Sequence, residues 1–338
     1  MNPRHRLAVL LAALLVLGSL SVGAVLHAHQ RAVRKSQAQV GGPNVVSGNV
    51  TLDTPGQTLF RNTAWGPHRG EITSAPTGDP SGSRTATGLQ CMRFYAAHGT
   101  GICLQGDHGT VSEKYRAVVL DTHLHEVRHF AVAGIPTRAR VSPSGRLAAW
   151  TVFTGGDSYA GGAFSTRTSI VDTRTWDYDS NLETYRFYKD GHRKKAADIN
   201  IWGVTFADDT HFYATVATGG QTYLVRGDRT AKTLTALHTN VECPSLSPDG
   251  TRIAFKKRVE GADSDAPWRL YVMDLRTMRE TATAELENVD DQAVWSGNHA
   301  LVYAQPGDYG DDLWTVPADG SGHPRRLMVS AVSPAYSV

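Results

Sequence analysis

The chain carries almost no net charge, because 34 lysine and arginine residues are balanced by 32 aspartate and glutamate residues, leaving a formal charge of +2. A nucleic-acid-binding domain shows a clustered basic face, and this sequence has no such concentration. Its one short basic run, Arg193-Lys194-Lys195, is typical of a solvated loop, with a phosphate site as the alternative. The composition therefore predicts no nucleic-acid partner.

The sequence also lacks a G-x-S-x-G motif. That motif places a serine nucleophile on the strained strand-to-helix turn of an α/β-hydrolase. Its absence excludes the serine hydrolases built on that turn, and we find no other catalytic motif in the chain.

A repeated β cassette is the strongest positive feature. It is clearest at 243–275, where the turn Ser247-Pro248-Asp249-Gly250 separates two short runs. Proline presets φ at the second turn position, aspartate favours the third, and glycine tolerates the positive φ that follows. The alternating run 251–256 and the apolar run 270–275 are each typical of a strand.

Weaker copies of this cassette occur at 97–104, 141–150, 206–214 and 295–303, and their third strands end at intervals of 43 to 54 residues. A four-stranded propeller blade needs about 40 to 50 residues. The repeat predicts a single all-β propeller of six four-stranded blades, closed by pairing of 331–338 with a strand from 45–75. Five blades and a two-sheet sandwich remain the alternatives. The residues that occupy the same position at the ends of these third strands are Asp121, Asp172, Arg226, Asp274 and Pro317.

These residues resemble the TolB-like, WD-repeat-like propeller family, whose blades carry an S-P-D-G turn, then a strand such as Ile253-Ala254-Phe255, then a strand ending in aspartate such as 270–275. The resemblance implies a propeller that binds proteins of the cell envelope. Two features differ from the family. Thr277-Met278-Arg279 replaces the usual G-x-x-x-x-L close, and the region before the first clear blade is too short for the separate α/β domain of TolB.

The N-terminus carries a targeting segment. Arg4 and Arg6 precede an apolar run from Leu7 to Leu26, which is long enough to span a bilayer core of about 30 Å. We interpret 1–27 as a signal anchor or, if cleaved after 22–24, a signal peptide, 28–44 as a stalk, and 45–338 as the propeller. The propeller is then extracytoplasmic and membrane-anchored, or secreted after cleavage.

Two of the three cysteines, Cys91 and Cys103, flank a predicted hairpin and form a candidate disulfide, with a reduced pair as the alternative. Such a bond persists only in an oxidising compartment. Cys243 begins a blade strand and is expected to be a small buried apolar residue.

Several polar clusters are candidate metal sites. His123 and His125 share a strand face and, with His129, offer zinc or copper ligands, but a solvent-exposed turn is the simpler interpretation. Oxygen-rich loops can hold calcium, yet the acidic loops of the last two blades lack an EF-hand pattern. The adjacent pair Asp290-Asp291 opens the last blade and is expected near the central channel. The acidic residues of those two calcium-candidate loops are Asp263 and Asp265 in the first, and Asp308, Asp311 and Asp312 in the second.

The aromatic residues divide between core and loops. Trp150, Phe255, Trp295 and Trp314 fall on strands and are expected between blades, and Trp202 is expected to be buried. Tyr159 and Tyr178 lie in the long segment 154–199, which we predict to be a recognition loop, because loops on a rigid scaffold commonly carry binding residues.

The sequence thus predicts a non-enzymatic binding module of the cell envelope, with a protein or peptide partner, a membrane contact through the N-terminal helix and no cofactor. The alternative is a metal-dependent propeller hydrolase or lyase with a divalent cation in the central channel.

Overall fold

The computed structural model describes residues 2–108, 113–161 and 163–336. The chain begins with one long helix, Pro3–Ser36, capped by the Asn2 side chain. It is the one helix of the described residues that is long and apolar enough to cross a membrane. The helix continues ten residues beyond Leu26, so the predicted stalk is helical as far as Ser36.

The described strands form six sheets, which confirms the predicted propeller of four-stranded blades. The innermost strands of successive blades contact one another in a closed circle. Blade 1 consists of Val45–Ser47, Gln57–Asn62, Glu71–Pro76, Arg84–Gln90 and Ala331–Tyr336; blade 2 of Arg93–Ala97, Thr100–His108, Glu113–Leu120 and Glu126–Val132; and blade 3 of Ile135–Val141, Leu147–Gly155, Ser165–Asp172 and Tyr178–Asp179. Blade 4 consists of Asn200–Phe206, His211–Thr218, Gln221–Asp228 and Thr233–Thr239; blade 5 of Glu242–Leu246, Arg252–Arg258, Trp268–Asp274 and Glu280–Ala282; and blade 6 of Val294–Ser296, Ala300–Gly307, Gly310–Pro317 and Arg325–Met328.

The two ends of the propeller domain close the ring. Ala331–Tyr336 is the innermost strand of blade 1 and pairs antiparallel with Gln57–Asn62, with Thr58 opposite Tyr336 and Asn62 opposite Ala331. The predicted closure is therefore confirmed. Because the blades pack face to face around a closed ring, only short, protected strand edges remain.

Blade 4 carries the main departure from the repeat. After a short 3₁₀ turn at Leu182–Thr184, the hairpin Arg186–Lys189 and His192–Lys194 adds two strands to its outer edge, the first of them parallel to Thr233–Thr239. The basic run Arg193-Lys194-Lys195 thus begins on an exposed edge strand and not in a loop.

The cassette at 247–252 folds as its residue types require. The Ser247 hydroxyl donates to Asp249 Oδ1 (2.6 Å), which also accepts from the Thr251 N–H (3.0 Å), while Ser247 Oγ accepts from the Arg252 N–H (3.0 Å). Gly250 has φ +71°, a conformation that costs glycine little. This cassette belongs to blade 5 of six.

The core lies between blades. Trp150, Phe255 and Trp295 are at most 6% exposed, as expected, Trp202 is 1% exposed, and Trp314 is half-buried. Fully burying one large apolar side chain contributes roughly 1.5–3 kcal/mol, so these contacts between neighbouring blades stabilise the ring as a unit.

A disulfide joins Cys91, in the linker between blades 1 and 2, to Cys103, in the second strand of blade 2. Both cysteines are buried, and the free Cys243 is 1% exposed. The bond ties the linker to blade 2, and the chain therefore offers no exposed thiol among its described residues.

The ring has two distinct faces. The mouth face carries the loops between second and third strands, such as 259–267, and the linkers between blades, such as 283–293. The turn face carries the first-to-second and third-to-fourth strand turns, such as 247–251 and 275–279. Blade 5 thus places Arg276 on the turn face and Leu286 on the mouth face.

Candidate ligand site at the mouth of the central channel

Polar side chains from opposite blades fill the axis of the ring. Gln292 Nε2 donates to the carbonyl oxygens of Val204 (3.2 Å) and Pro244 (2.7 Å). From the other side, Arg140 donates to the carbonyl oxygen of Ala293 (3.4 Å). A void of about 30 Å³ is left at this level, so the channel is closed in its middle.

On the mouth face the same axis opens into a cavity of about 810 Å³. It forms because blade 6 is incomplete near the axis. Its innermost strand, Val294–Ser296, has three residues where the other innermost strands have five to seven, and an eleven-residue linker, 283–293, precedes it. The cavity is lined by carboxylates, one guanidinium and an apolar wall: Glu285, Glu287, Asp290, Asp291 and Asp311, Arg93, and Trp314, Pro306 and Pro324.

Side-chain hydrogen bonds fix the course of the linker. Asp291 Oδ2 accepts from the Ala304 N–H (3.0 Å), and Asn288 Oδ1 accepts from the Trp268 N–H (2.9 Å). Glu285 accepts from the Tyr303 hydroxyl and, through its other oxygen, from the Glu287 N–H (2.8 Å). The Glu285 and Asp291 carboxylates are therefore held in place before any ligand arrives.

An ion network forms the base of the cavity. Lys256 is fully buried, and its Nζ lies 2.5 Å from Asp290 Oδ1 and 3.7 Å from the centre of the Trp268 ring. Arg138 also reaches Asp290 Oδ1 (3.5 Å). Burial alone would raise the pKa of Asp290, but the opposing effect of Lys256 and Arg138 is greater and lowers it. Asp290 therefore stays ionised, with 47% of its side chain exposed.

The opposite wall has different electrostatics. Burial, and next the neighbouring Asp291, raises the pKa of Asp311. Burial, and next Arg138, lowers the pKa of Arg93, which donates through Nε to the Thr137 carbonyl (2.8 Å). The mouth therefore combines an anchored, ionised carboxylate, Asp290, with a second carboxyl, Asp311, whose pKa is raised.

The rim adds an apolar element. Leu286 is 76% exposed and lies in the linker between two of the lining glutamates, Glu285 and Glu287. Among the described residues of the blades and their linkers it is the most exposed large hydrophobic side chain. A ligand at the mouth would therefore meet both charge and apolar surface.

The structure distributes the predicted acidic residues over several places. Asp290 and Asp291 lie at the channel mouth, as expected. Asp311 lines the cavity, whereas its neighbour Asp312 is buried and accepts from the Ser330 N–H (2.7 Å). The loop residues Asp263, Asp265 and Asp308 are exposed. In residues 2–108, 113–161 and 163–336, no group of three or more His, Cys, Asp and Glu side chains is arranged to hold a metal ion.

The histidines lie in and beside a turn on the turn face. The backbone N–H groups of His123 and His125 donate to Asp121 Oδ1 (2.8 and 2.9 Å), which closes the turn. His129 lies on the following strand, with Nδ1 2.6 Å from Glu126 Oε1. His123 and His125 therefore belong to an exposed turn, and this turn lies on the face of the ring opposite the channel mouth.

The two tyrosines predicted for recognition pack against other aromatic rings. Tyr159 is 3% exposed, stacks on Trp202 with ring centres 4.9 Å apart, and hydrogen-bonds Thr137 (2.7 Å). Tyr178 is half-buried and stacks on Trp150 at 5.7 Å. Both rings therefore contribute to packing. It also borders a second cavity of about 520 Å³ between blades 3 and 4.

Sequence reasoning missed the basic residues around the axis, Arg93, Arg138, Arg140 and Lys256. The signal was their position, since all four lie on first or second strands of blades. Charged residues on a strand usually indicate a solvated face, and only ring closure turns these positions toward the channel.

No protein family model and no curated protein sequence matches the chain. TolB from Acinetobacter baumannii has a similar structure, with a TM-score of 0.54 and 17% identity over 84% of this chain and 67% of that one. The fold is that of a TolB-like propeller. A puromycin-hydrolysing peptidase from Mycobacterium tuberculosis aligns with a TM-score of 0.49 and 14% identity, over 82% of this chain and 44% of the peptidase.

The structural similarity covers only part of each of these two proteins. The chain spans about two thirds of the length of the Acinetobacter protein and less than half of the peptidase. At such low identity the comparison establishes the fold alone. The function has to be argued from the channel mouth itself.

Proposed function

We propose that this TolB-like propeller is a non-enzymatic, extracytoplasmic binding module of the cell envelope, anchored by its N-terminal helix, and that it binds a protein or peptide at the channel mouth. The observation that carries the proposal is the blind cavity of about 810 Å³ on the axis. A large concave pocket with a few fixed polar groups is the usual form of a binding site. The proposed module needs no cofactor.

The shape of the site favours a polypeptide ligand. The cavity is closed below by the Gln292 and Arg140 contacts, so a ligand enters and leaves on the mouth face. The linker exposes Leu286 between two residues of the lining, Glu285 and Glu287. Mixed apolar and charged surface of this kind is what a polypeptide segment can match with alternating side chains.

The helix and the disulfide support the location. The apolar helix Pro3–Ser36 is long enough to cross a bilayer. The bond between Cys91 and Cys103 is of a type that persists outside the cytoplasm. Together they favour a propeller held at the outer side of a membrane, with secretion after cleavage as the alternative.

Site-specific photo-crosslinking in intact cells tests the binding role. A photoreactive amino acid at Leu286 should give a covalent adduct with a specific partner, whereas the same residue at Arg276, exposed on the turn face of the same blade, should not. Asp311→Asn keeps the side-chain shape and removes a mouth charge, and should reduce the adduct at 286 roughly tenfold. Equal adducts at both positions, or none at 286, would count against a binding site at the mouth.

A further inference from the structure

The end of the N-terminal helix is attached to the mouth face of the propeller. The Lys35 carbonyl accepts a hydrogen bond from the Gly66 N–H (2.9 Å). Gly66 belongs to the loop between Gln57–Asn62 and Glu71–Pro76, the second and third strands of blade 1. Loops of that kind lie on the mouth face, so the helix joins the ring on the side where the cavity opens.

A continuous set of contacts links this attachment point to the cavity. Trp65, beside Gly66, packs edge-to-face on Tyr309, with ring centres 5.2 Å apart. Thr63 in the same loop donates through Oγ1 to the backbone carbonyl of Asp311 (3.1 Å), and Asp311 lines the cavity. The helix therefore meets the propeller at the rim of the mouth.

The helix leaves the propeller without packing against it. Every described side chain of Pro3–Ser36 is exposed, so the helix projects away from the ring. Its apolar run ends at Leu26, and ten further residues continue to Ser36, a rise of about 15 Å. If the apolar run lies in a bilayer, the rim of the mouth is held on the order of 15 Å from the hydrocarbon core.

From this geometry we infer that the anchor holds the channel mouth toward the membrane, so that the ligand is a membrane-tethered polypeptide segment. This inference rests on the anchor role proposed above. The narrow gap under the mouth admits an extended segment more readily than a globular domain, and a segment fixed to the same bilayer is present there at high effective concentration.

Charge defines the chemistry of that segment. Five carboxylates and one guanidinium line the mouth, and the cations Lys256 and Arg138 lie beneath Asp290, so the acidic side chains still outnumber the basic ones. Anionic lipid headgroups are repelled by such a surface, whereas lysine and arginine side chains are attracted to it. The occupant is therefore a cationic segment of a second membrane-anchored protein and not a phospholipid headgroup.

Energy transfer to labelled lipids tests the orientation. The full chain, as Leu286→Cys or Arg276→Cys, is labelled with a donor dye and reconstituted into vesicles that contain acceptor-labelled lipid. The unchanged chain is the background, because its thiols are bonded or buried. The third strand of blade 5, Trp268–Asp274, separates the two faces by roughly 20 Å. Transfer should be clearly stronger from 286, and equal or stronger transfer from 276 would overturn the inference.

A second measurement tests the occupant. Lipid-anchored penta-arginine or penta-glutamate peptide is added to the same vesicles, and the rate at which a soluble maleimide modifies Leu286→Cys is recorded. The arginine peptide should slow the reaction at least several-fold, and Asp311→Asn should weaken that protection. Protection by neither peptide, or equal protection by both, would overturn the cationic assignment. If Leu286 gives a crosslink in cells but energy transfer does not show the expected orientation, the proposed binding role is retained and the membrane-facing orientation is rejected.

Discussion

Deletion of residues 331–338 should abolish cooperative folding of the propeller. The deletion removes the innermost strand of blade 1, in which Ala331, Val332 and Ala335 are at most 4% exposed. It also removes the antiparallel pairing with Gln57–Asn62 and opens two edges of the ring. A domain has a net stability of only about 5–15 kcal/mol, and the loss of one innermost strand removes a comparable amount. Thermal unfolding followed by circular dichroism, with the soluble yield, measures the effect.

Deletion of residues 1–36 provides the control for this truncation. It removes many more residues, but the described side chains of the helix are exposed, and its C-terminal contact with the ring is the Lys35–Gly66 hydrogen bond. This variant should keep a cooperative transition within a few degrees of the full chain. A cooperative transition that also survives the deletion of 331–338 would show that the ring does not depend on its closing strand.

Asp290→Ala should destabilise the propeller far more than Lys256→Met. Removing the carboxylate leaves the fully buried Lys256 ammonium without its partner at 2.5 Å, at a cost of about 2–3 kcal/mol. Breaking a fully buried ion pair costs more than this, but the Asp290 side chain is 47% exposed. Methionine at 256 has a similar length and packs well on an aromatic ring such as Trp268. That variant should stay within about 1 kcal/mol of the unchanged protein.

Chemical denaturation of both single variants and the double variant measures this asymmetry. The double variant should resemble Lys256→Met, since the loss of Asp290 is harmful mainly while the buried ammonium is present. Similar losses of stability in both single variants would contradict this interpretation. They would mean that the attraction between Lys256 and Asp290 is itself stabilising, whereas we expect Asp290 to be needed because Lys256 is buried.

The same pair gives a pH dependence with a defined sign. The pKa of Asp290 is lowered in the folded protein, so its contribution to stability is present above the ordinary aspartate pKa and is lost as the pH falls through the folded value. Asp290→Ala should therefore flatten the acid side of the stability profile.

The fold could be predicted from the sequence because its information is local. Ser247, Asp249 and Gly250 set one turn by their own chemistry, and the turn recurs at the period of a blade. The closing strand was also predictable, since 331–338 continued the pattern and needed a partner. The extra hairpin of blade 4 was not, because Arg186–Lys189 pairs in parallel with a strand that lies more than forty residues further along the chain.

The candidate site was only partly predictable. Asp290 and Asp291 were expected near the channel from their place in the repeat. The cavity itself arises because the linker 283–293 is long and Val294–Ser296 is short, a comparison that needs strand bounds. Tyr159 was assigned to a recognition loop because glycine and tyrosine surround it, but nothing local indicates that its ring stacks on Trp202.

The central claim is that the propeller lies outside the cytoplasm and acts there as a binding module, and thiol labelling in intact cells tests its location most directly. Arg276→Cys adds one exposed thiol on the turn face, while Cys91 and Cys103 are bonded and Cys243 is 1% exposed. A membrane-impermeant maleimide should label this variant in intact cells and leave the unchanged protein nearly unlabelled. Labelling that appears only after the membrane is permeabilised would contradict the account.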